Sequence, residues 1–148
     1  MPSVDEHPAP RTVAEAMYAK DRVAQALAIE IEEVRHGYAR LSMRVRPDMV
    51  NGHALCHGGY LALLCDTAFA YACNSYNAVT VASGFSIELI APAREGERLT
   101  AEAVEVIRRG RSGLYDIRLT NERGETIALF RGKSRTIDGQ IVAVPDPR

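Results

Sequence analysis

Hydrophobic positions recur along this chain with two periods. Val13, Ala16, Met17, Ala24 and Leu27 recur at helical spacing. Thr12 and Glu15 stand three apart, the spacing of a capping box, in which each side chain satisfies a backbone N–H at a helix start. Together they predict a first helix over residues 12–27. From Ala28 the period becomes two. "AIEIEEVR" and "YARLSMRV" alternate apolar and polar residues on either side of Gly37, which predicts a hairpin. Four later segments also read as strands. Val79–Ile90 ends before Pro92, and "ERLTAEAVEVIRR" slips phase at Ala103–Val104, where a bulge is expected. "GLYDIRLTN" puts Tyr115, Ile117 and Leu119 on one face, "NERG" makes a turn, and "TIALFRGKSRTI" closes the series.

Between the hairpin and these strands lies "PDMVNGHALCHGG", a loop rich in Gly and Pro, and then an apolar segment over His57–Ser75. As a helix that segment is roughly 28 Å long at 1.5 Å per residue. The order is helix, two strands, long helix, four strands, joined mostly by short turns. It predicts an α+β fold in which a largely antiparallel sheet curls around one buried helix, with an extra N-terminal helix. Residues 1–10 read as a flexible tail, 11–138 as one domain, and 139–148 as a C-terminal tail in which "VPDPR" is disordered.

Composition narrows the class. The 148 residues suit one domain, and 47% hydrophobic content supports a real core. A formal net charge of −1 argues against a nucleic-acid binder. Cys56, Cys65 and Cys73 are odd in number and widely spaced, which suits buried free thiols rather than disulfides or a zinc site. No metal is expected. The polar, Pro-rich start carries no signal-peptide core, and the apolar run Tyr60–Cys73 is too short for a membrane span. A soluble, cytoplasmic protein without membrane contact is expected.

The chemistry concentrates in "CHGGYLALLCDTAFAYACN". Asp66 is the only Asp, Glu, Lys or Arg between Asp48 and Glu88. On a helix it shares its face with Ala62, Leu63, Phe69, Ala70 and Cys73, none of which can pair it. An unpaired buried carboxylate costs several kcal/mol. Two readings follow: hydrogen bonds from a neighbouring loop hold it, or it faces a substrate as general base or nucleophile. The flanking loop favours the second. Gly58 and Gly59 open the helix, where backbone N–H groups lack partners and suit a developing oxyanion. Asp66 lies about two turns further on, so one helix cannot place both groups on one carbon. His57 fits an acid or base, and equally a helix cap. Asn51 fits a ligand for water or a carbonyl, and equally the residue that shapes an "NG" turn.

These residues carry a resemblance. "NGHALCHGGYLALLCDTAFAYACN", "LYDIRLTNE" and "IALFRGKSRTI" are similar, in order, to the signature of hotdog-fold acyl-CoA thioesterases of the PaaI type. The likeness covers about Ile29 to Ile137. It implies homodimers formed by edge-to-edge sheet pairing, commonly assembled into homotetramers, with active sites at the dimer interface. It implies that the Gly58 N–H polarises the thioester carbonyl and that Asp66 of the other subunit activates water or attacks. Asn51 then orients water or carbonyl, and His57 supports the loop or leaving group. Ser83, Gly59 and Phe69 are implied near the substrate. The basic hairpin residues Arg109, Gly110, Arg111 and Ser112, with Arg131 and Lys133, are implied at the CoA phosphates; a solvated hairpin is the plainer reading of that charge run. No cofactor is implied, because CoA is part of the substrate. The acyl group implied is phenylacetyl or a hydroxylated or ring-opened relative. Two rival functions remain: an enoyl-CoA hydratase or dehydratase using His57 and Asp66, and a non-catalytic acyl-CoA-binding module.

Overall fold

A computed structural model describes residues 7–144. Two short helices, α1 (Pro10–Tyr18) and α2 (Arg22–Ala26), precede strands β1 (Glu30–Arg35) and β2 (Tyr38–Arg44). A single 3-10 turn at Pro47–Met49 leads through a loop into α3 (Gly58–Cys73). Strands β3 (Ala78–Leu89), β4 (Arg98–Arg109), β5 (Ser112–Thr120) and β6 (Thr126–Gln140) follow. They form one six-stranded sheet in the order β1-β2-β4-β5-β6-β3, with every neighbouring pair antiparallel. This is the α+β arrangement of a curled antiparallel sheet around one helix expected from the alternation of periods, and the hotdog fold that the resemblance implies.

The core lies between α3 and one face of the sheet. Ala39, Leu41 and Met43 of β2, Leu99, Ala101 and Ala103 of β4, and Tyr115, Ile117 and Leu119 of β5 all point inward and are buried. They meet Leu61, Leu64, Cys65, Ala68, Phe69 and Ala72 of α3. Each fully buried Leu or Phe here contributes roughly 1.5–3 kcal/mol relative to exposure. Alanines on β2 and β4 keep the sheet surface low, so the helix backbone can approach closely. At the far end of α3, Asn74 is fully used. Its amide NH2 donates to the carbonyls of Ala70 and Thr80, both at 2.9 Å, and its side-chain oxygen accepts from the Thr80 N–H at 2.9 Å. This ties the helix end to the start of β3.

Four boundaries differ from the sequence pattern. The helix expected over 12–27 is two helices. Asp21 interrupts it by capping α2, its Oδ1 accepting from the Ala24 N–H at 3.0 Å while Oδ2 accepts from the Tyr71 hydroxyl at 3.3 Å. The Thr12–Glu15 capping box does not form. Ala9 is the N-cap, Pro10 opens the helix, and Glu15 pairs instead with Arg11 at 3.4 Å. The bulge expected at Ala103–Val104 falls between Glu105 and Ile107. There Glu105 Oε1 accepts from the hydroxyls of Tyr76 at 2.9 Å and Tyr115 at 3.1 Å, which holds that side chain inward. Finally, β6 runs on to Gln140, and residues assigned to a tail from 139 are tied down. Asn77 exchanges two hydrogen bonds with the backbone of Val142, at 2.9 and 2.8 Å. Parts of both expected tails, 1–6 and 145–148, lie outside the described residues.

Packing is tight where β6 crosses the middle of α3. The Phe69 ring sits 5.5 Å from Tyr115 and 6.1 Å from Phe130, centroid to centroid. A Cβ at Gly132 would lie 2.8 Å from that ring. Gly132→Ala is therefore expected to lower unfolding stability by about 1–3 kcal/mol through overpacking, read as a shift in denaturant midpoint. Adding Phe69→Leu to Gly132→Ala should recover part of that loss.

Candidate active site

The loop before α3 is built by its own backbone. Asn51 Oδ1 accepts from the N–H groups of His53 at 2.9 Å and Leu55 at 3.2 Å. The Cys56 N–H reaches the Ala93 carbonyl and the His57 N–H reaches the Met49 carbonyl, both at 2.8 Å. These bonds aim the chain so that His57 becomes the N-cap of α3. Its Nδ1 accepts from the Gly59 N–H at 2.9 Å. The Tyr60 N–H is taken by the His57 carbonyl at 3.0 Å. The Gly58 N–H has no partner among the described residues. Gly58 lines a groove of about 330 Å³ together with Asn51, Leu55, Leu61, Leu89 and Ile90. Absence of a side chain matters here, because a Cβ at Gly58 would stand 3.1 Å from Leu89 Cδ1. The Asn51 oxygen is held by the turn, while its NH2 makes no hydrogen bond among the described residues.

Asp66 lies elsewhere. Three sides of α3 are buried, but Gly59, Ala62, Leu63, Asp66, Thr67 and Ala70 form a strip that is only partly covered or exposed. The Asp66 carboxylate has neither a hydrogen-bond donor nor an ion pair among the described residues. The nearest hydroxyl on its strip, Thr67 Oγ1, donates to the Leu63 carbonyl at 2.8 Å instead. Burial alone raises the Asp66 pKa above its ordinary value of 3.8. Eight residues along the helix separate it from Gly58, about 12 Å. A single chain thus presents an unpaired carboxylate and a free N–H at two separate places.

The other expected site residues scatter. Gly59 is exposed, but its N–H is held by His57. Phe69 is 1% exposed and belongs to the core, so the substrate contact expected of it is closed off by Tyr115 and Phe130. Ser83 sits in the bulge of edge strand β3, and its hydroxyl donates to the Lys133 carbonyl at 3.1 Å. Of the basic set, Arg109, Ser112 and Lys133 line a shallow groove of about 400 Å³ with Ile107, Gly113 and Leu114. Gly110, with φ +60, makes the turn beside it. Arg111 lies 3.8 Å from Asp138. Arg131 leaves this group, because Asp116 holds its guanidinium through two bonds of 2.7 and 2.9 Å. Leu89 and Ile90, outside every motif named above, wall the Gly58 groove. Their signal was an apolar strand end next to Pro92 with no polar alternation. Burial pushes the Cys56 thiol up to about 11 and the Cys65 and Cys73 thiols up to about 12. All three are therefore protonated at neutral pH and offer no thiolate. No group of three or more potential metal ligands occurs among the described residues.

A curled antiparallel sheet around one helix, with an open helix N-terminus and a lone carboxylate two turns along, defines a hotdog-fold hydrolase. The thioesterase superfamily pattern matches residues 53–128, and the chain belongs to that family as a thioester hydrolase. It is 48% identical over 129 residues to acyl-coenzyme A thioesterase PaaI of Escherichia coli (strain K12), spanning 86% of this chain and 91% of that protein. The solved structure of the E. coli PaaI protein from the phenylacetic acid degradation operon superposes with a TM-score of 0.87 at 45% identity. It covers 88% of this chain and 95% of that one. A hypothetical thioesterase from Streptococcus pneumoniae, solved with coenzyme A, matches at a TM-score of 0.72 and 25% identity, covering 76% and 90%.

The unpaired carboxylate has a thermodynamic signature. Because folding raises its pKa, the folded chain holds the Asp66 proton more tightly than the unfolded chain. Stability is then lost as pH climbs from 3.8 through the raised value. Asp66→Asn should accordingly raise the melting temperature at pH 7, with the gain shrinking to nothing below pH 3.8. Thermal unfolding of both proteins across pH checks this.

Proposed function

We propose that this chain hydrolyses acyl-CoA thioesters at a site completed by two copies, one supplying Gly58 and the other Asp66. The observation that carries the reading is the separation of the free Gly58 N–H from the unpaired Asp66 carboxylate along α3. Each is half of a hydrolytic site, and neither has another partner among the described residues. β3 supports the pairing. It is an edge strand of 12 residues with Val81, Phe85 and Leu89 exposed at 44%, 52% and 56%. A long apolar edge invites a second strand. Antiparallel β3–β3 pairing makes a homodimer, on which a homotetramer can be built.

In the reaction the thioester carbonyl oxygen accepts from the Gly58 N–H at the dipolar start of α3. Water adds to the carbonyl carbon and gives its proton to the partner copy's carboxylate at position 66. Burial has made that carboxylate a stronger base. The tetrahedral intermediate then collapses, the C–S bond breaks, and CoA leaves as the thiolate, which takes the proton. Asn51 offers its unused NH2 to water or carbonyl, and His57 keeps the helix start in shape. Leu89 and Ile90 give the groove an apolar wall. Arg109, Ser112 and Lys133 lie together as a patch for CoA phosphates. Arg111 and Arg131 would first have to leave Asp138 and Asp116. Phenylacetyl-CoA, or a hydroxylated or ring-opened relative, is the acyl group proposed, on the strength of the E. coli relative from the phenylacetic acid operon. Buried free thiols suit a reducing, cytoplasmic setting.

Two measurements test this. Asp66→Asn should lower kcat for thiol release from phenylacetyl-CoA by about two orders of magnitude or more, with folding intact. Hydration of an enoyl-CoA without thiol release, or binding without turnover in the native protein, would replace the reading by one of its rivals. Shared sites predict complementation. Asp66→Asn and Gly58→Pro chains, each inactive alone, should regain activity when unfolded and refolded together, because one site of each mixed dimer is intact. No recovery in confirmed mixed dimers would overturn the pairing of Gly58 with the partner copy's carboxylate.

A further inference from the structure

The sheet has two edges, and the chain treats them differently. Among the described residues β3 is bare, whereas β1 is covered by the N-terminal helices. Three backbone groups are taken, two on Ile29 just before β1 and one on Ile31 within it. The Ile29 N–H donates to the Ala24 carbonyl at 2.9 Å. The Tyr18 hydroxyl donates to the Ile29 carbonyl at 2.8 Å, and Arg11 Nη1 donates to the Ile31 carbonyl at 3.3 Å. Arg11 and Tyr18 stand seven apart on α1, so both project from one side of it. Val13 at 0% and Ala14 at 1% exposure hold α1 down. A seam of about 500 Å³ runs between α1 and β1, lined by Arg11, Glu15, Tyr18, Ile29, Glu30 and Ile31. A strand adding to β1 would have to enter that seam and break both side-chain bonds.

Charge does not protect this edge. Glu30, Glu32 and Glu33 would repel a second strand if left alone, but Arg98 neutralises the first at 2.7 Å, and Arg40 neutralises the other two at 2.9 and 3.1 Å. The protection is steric and hydrogen-bonded. We infer that α1 and α2 form an edge guard that closes β1 to strand addition and so confines sheet-to-sheet association to β3. The consequence is topological. A dimer paired through β3 still carries a β1 strand at each end of its continuous sheet. Were those ends open, further copies could add without closure. The inference rests on the pairing proposed above only in naming β3 as the permitted edge; hydrolysis plays no part in it.

Two full-length variants test the guard. Arg11→Ala/Tyr18→Phe removes both tethers, and Val13→Asp undocks α1 by placing a charge at a buried position. Sedimentation velocity over a concentration series is combined with amide exchange over residues 29–35. The guard predicts species at least about twice the wild-type mass that grow with concentration, since each added copy exposes another edge. Residues 29–35 should stay protected in those species, because a second copy's strand replaces α1. Wild-type mass in both variants, or larger species in which residues 29–35 exchange freely, would overturn the inference. Should Val13→Asp fail to fold, the tether variant decides alone. A monomeric wild-type protein would count against β3 pairing and leave the guard to be judged on the variants.

Discussion

Ala39, Ala101 and Ala103 line the inner face of β2 and β4, the strands against which α3 packs, and with Leu64 and Ala68 of the helix all five residues are buried. That packing governs the rest of the molecule. A helix apolar on most of its surface needs cover on several sides, and a flat sheet covers one. Low residues at the centre and larger ones such as Met43, Tyr115 and Phe130 to the sides let six strands curl around it. The curl is incomplete. It leaves open the strip that runs from Gly59 through Ala62, Asp66 and Ala70. The position of the one charge on α3 is thus set by where the sheet stops.

Half-burial suits a working carboxylate. Full burial without a partner would drive it neutral or out of the fold, and full exposure would leave it an ordinary weak base. On the open strip, Asp66 is desolvated enough to gain basicity and accessible enough to meet another molecule. The stability lost is local, and a core this well filled tolerates it. Gly58 complements it electrically. A helix N-terminus attracts developing negative charge, whereas a carboxylate at the same spot would neutralise that field before substrate arrived. Some 12 Å of helix keep the two apart within one chain.

The strongest periodicities carried most of the fold. α3 and all six strands were legible because their apolar patterns are long and their bounding residues are Gly, Pro or Asn. The loop and helix sequence also carried the family. What escaped depended on partners far along the chain. Asp21 reads as a helix-interior residue until Tyr71 and the α2 cap are placed beside it. Glu105 fixes its bulge through Tyr76 and Tyr115, and Asn77 holds Val142 from 65 residues away. The same limit applied to the site. Phe69 lies on the nominal face of Asp66, but the helix turns it far enough to reach β5 and β6. Arg131 looked free for phosphate until β5 set Asp116 opposite it.

A site split between copies, as proposed, would make association part of catalysis and tie the two sheet edges to chemistry. A chain whose halves meet only across β3 gains nothing from pairing at β1, because no copy docked there would bring Asp66 near Gly58. An open β1 would draw chains into assemblies that bury edge without completing sites. Covering it with side chains from α1 removes that competition without adding charge to a strand whose acids already serve as cross-strand partners for Arg40 and Arg98. In the proposed dimer, the N-terminal helices would act on catalysis by deciding which edge is left to pair.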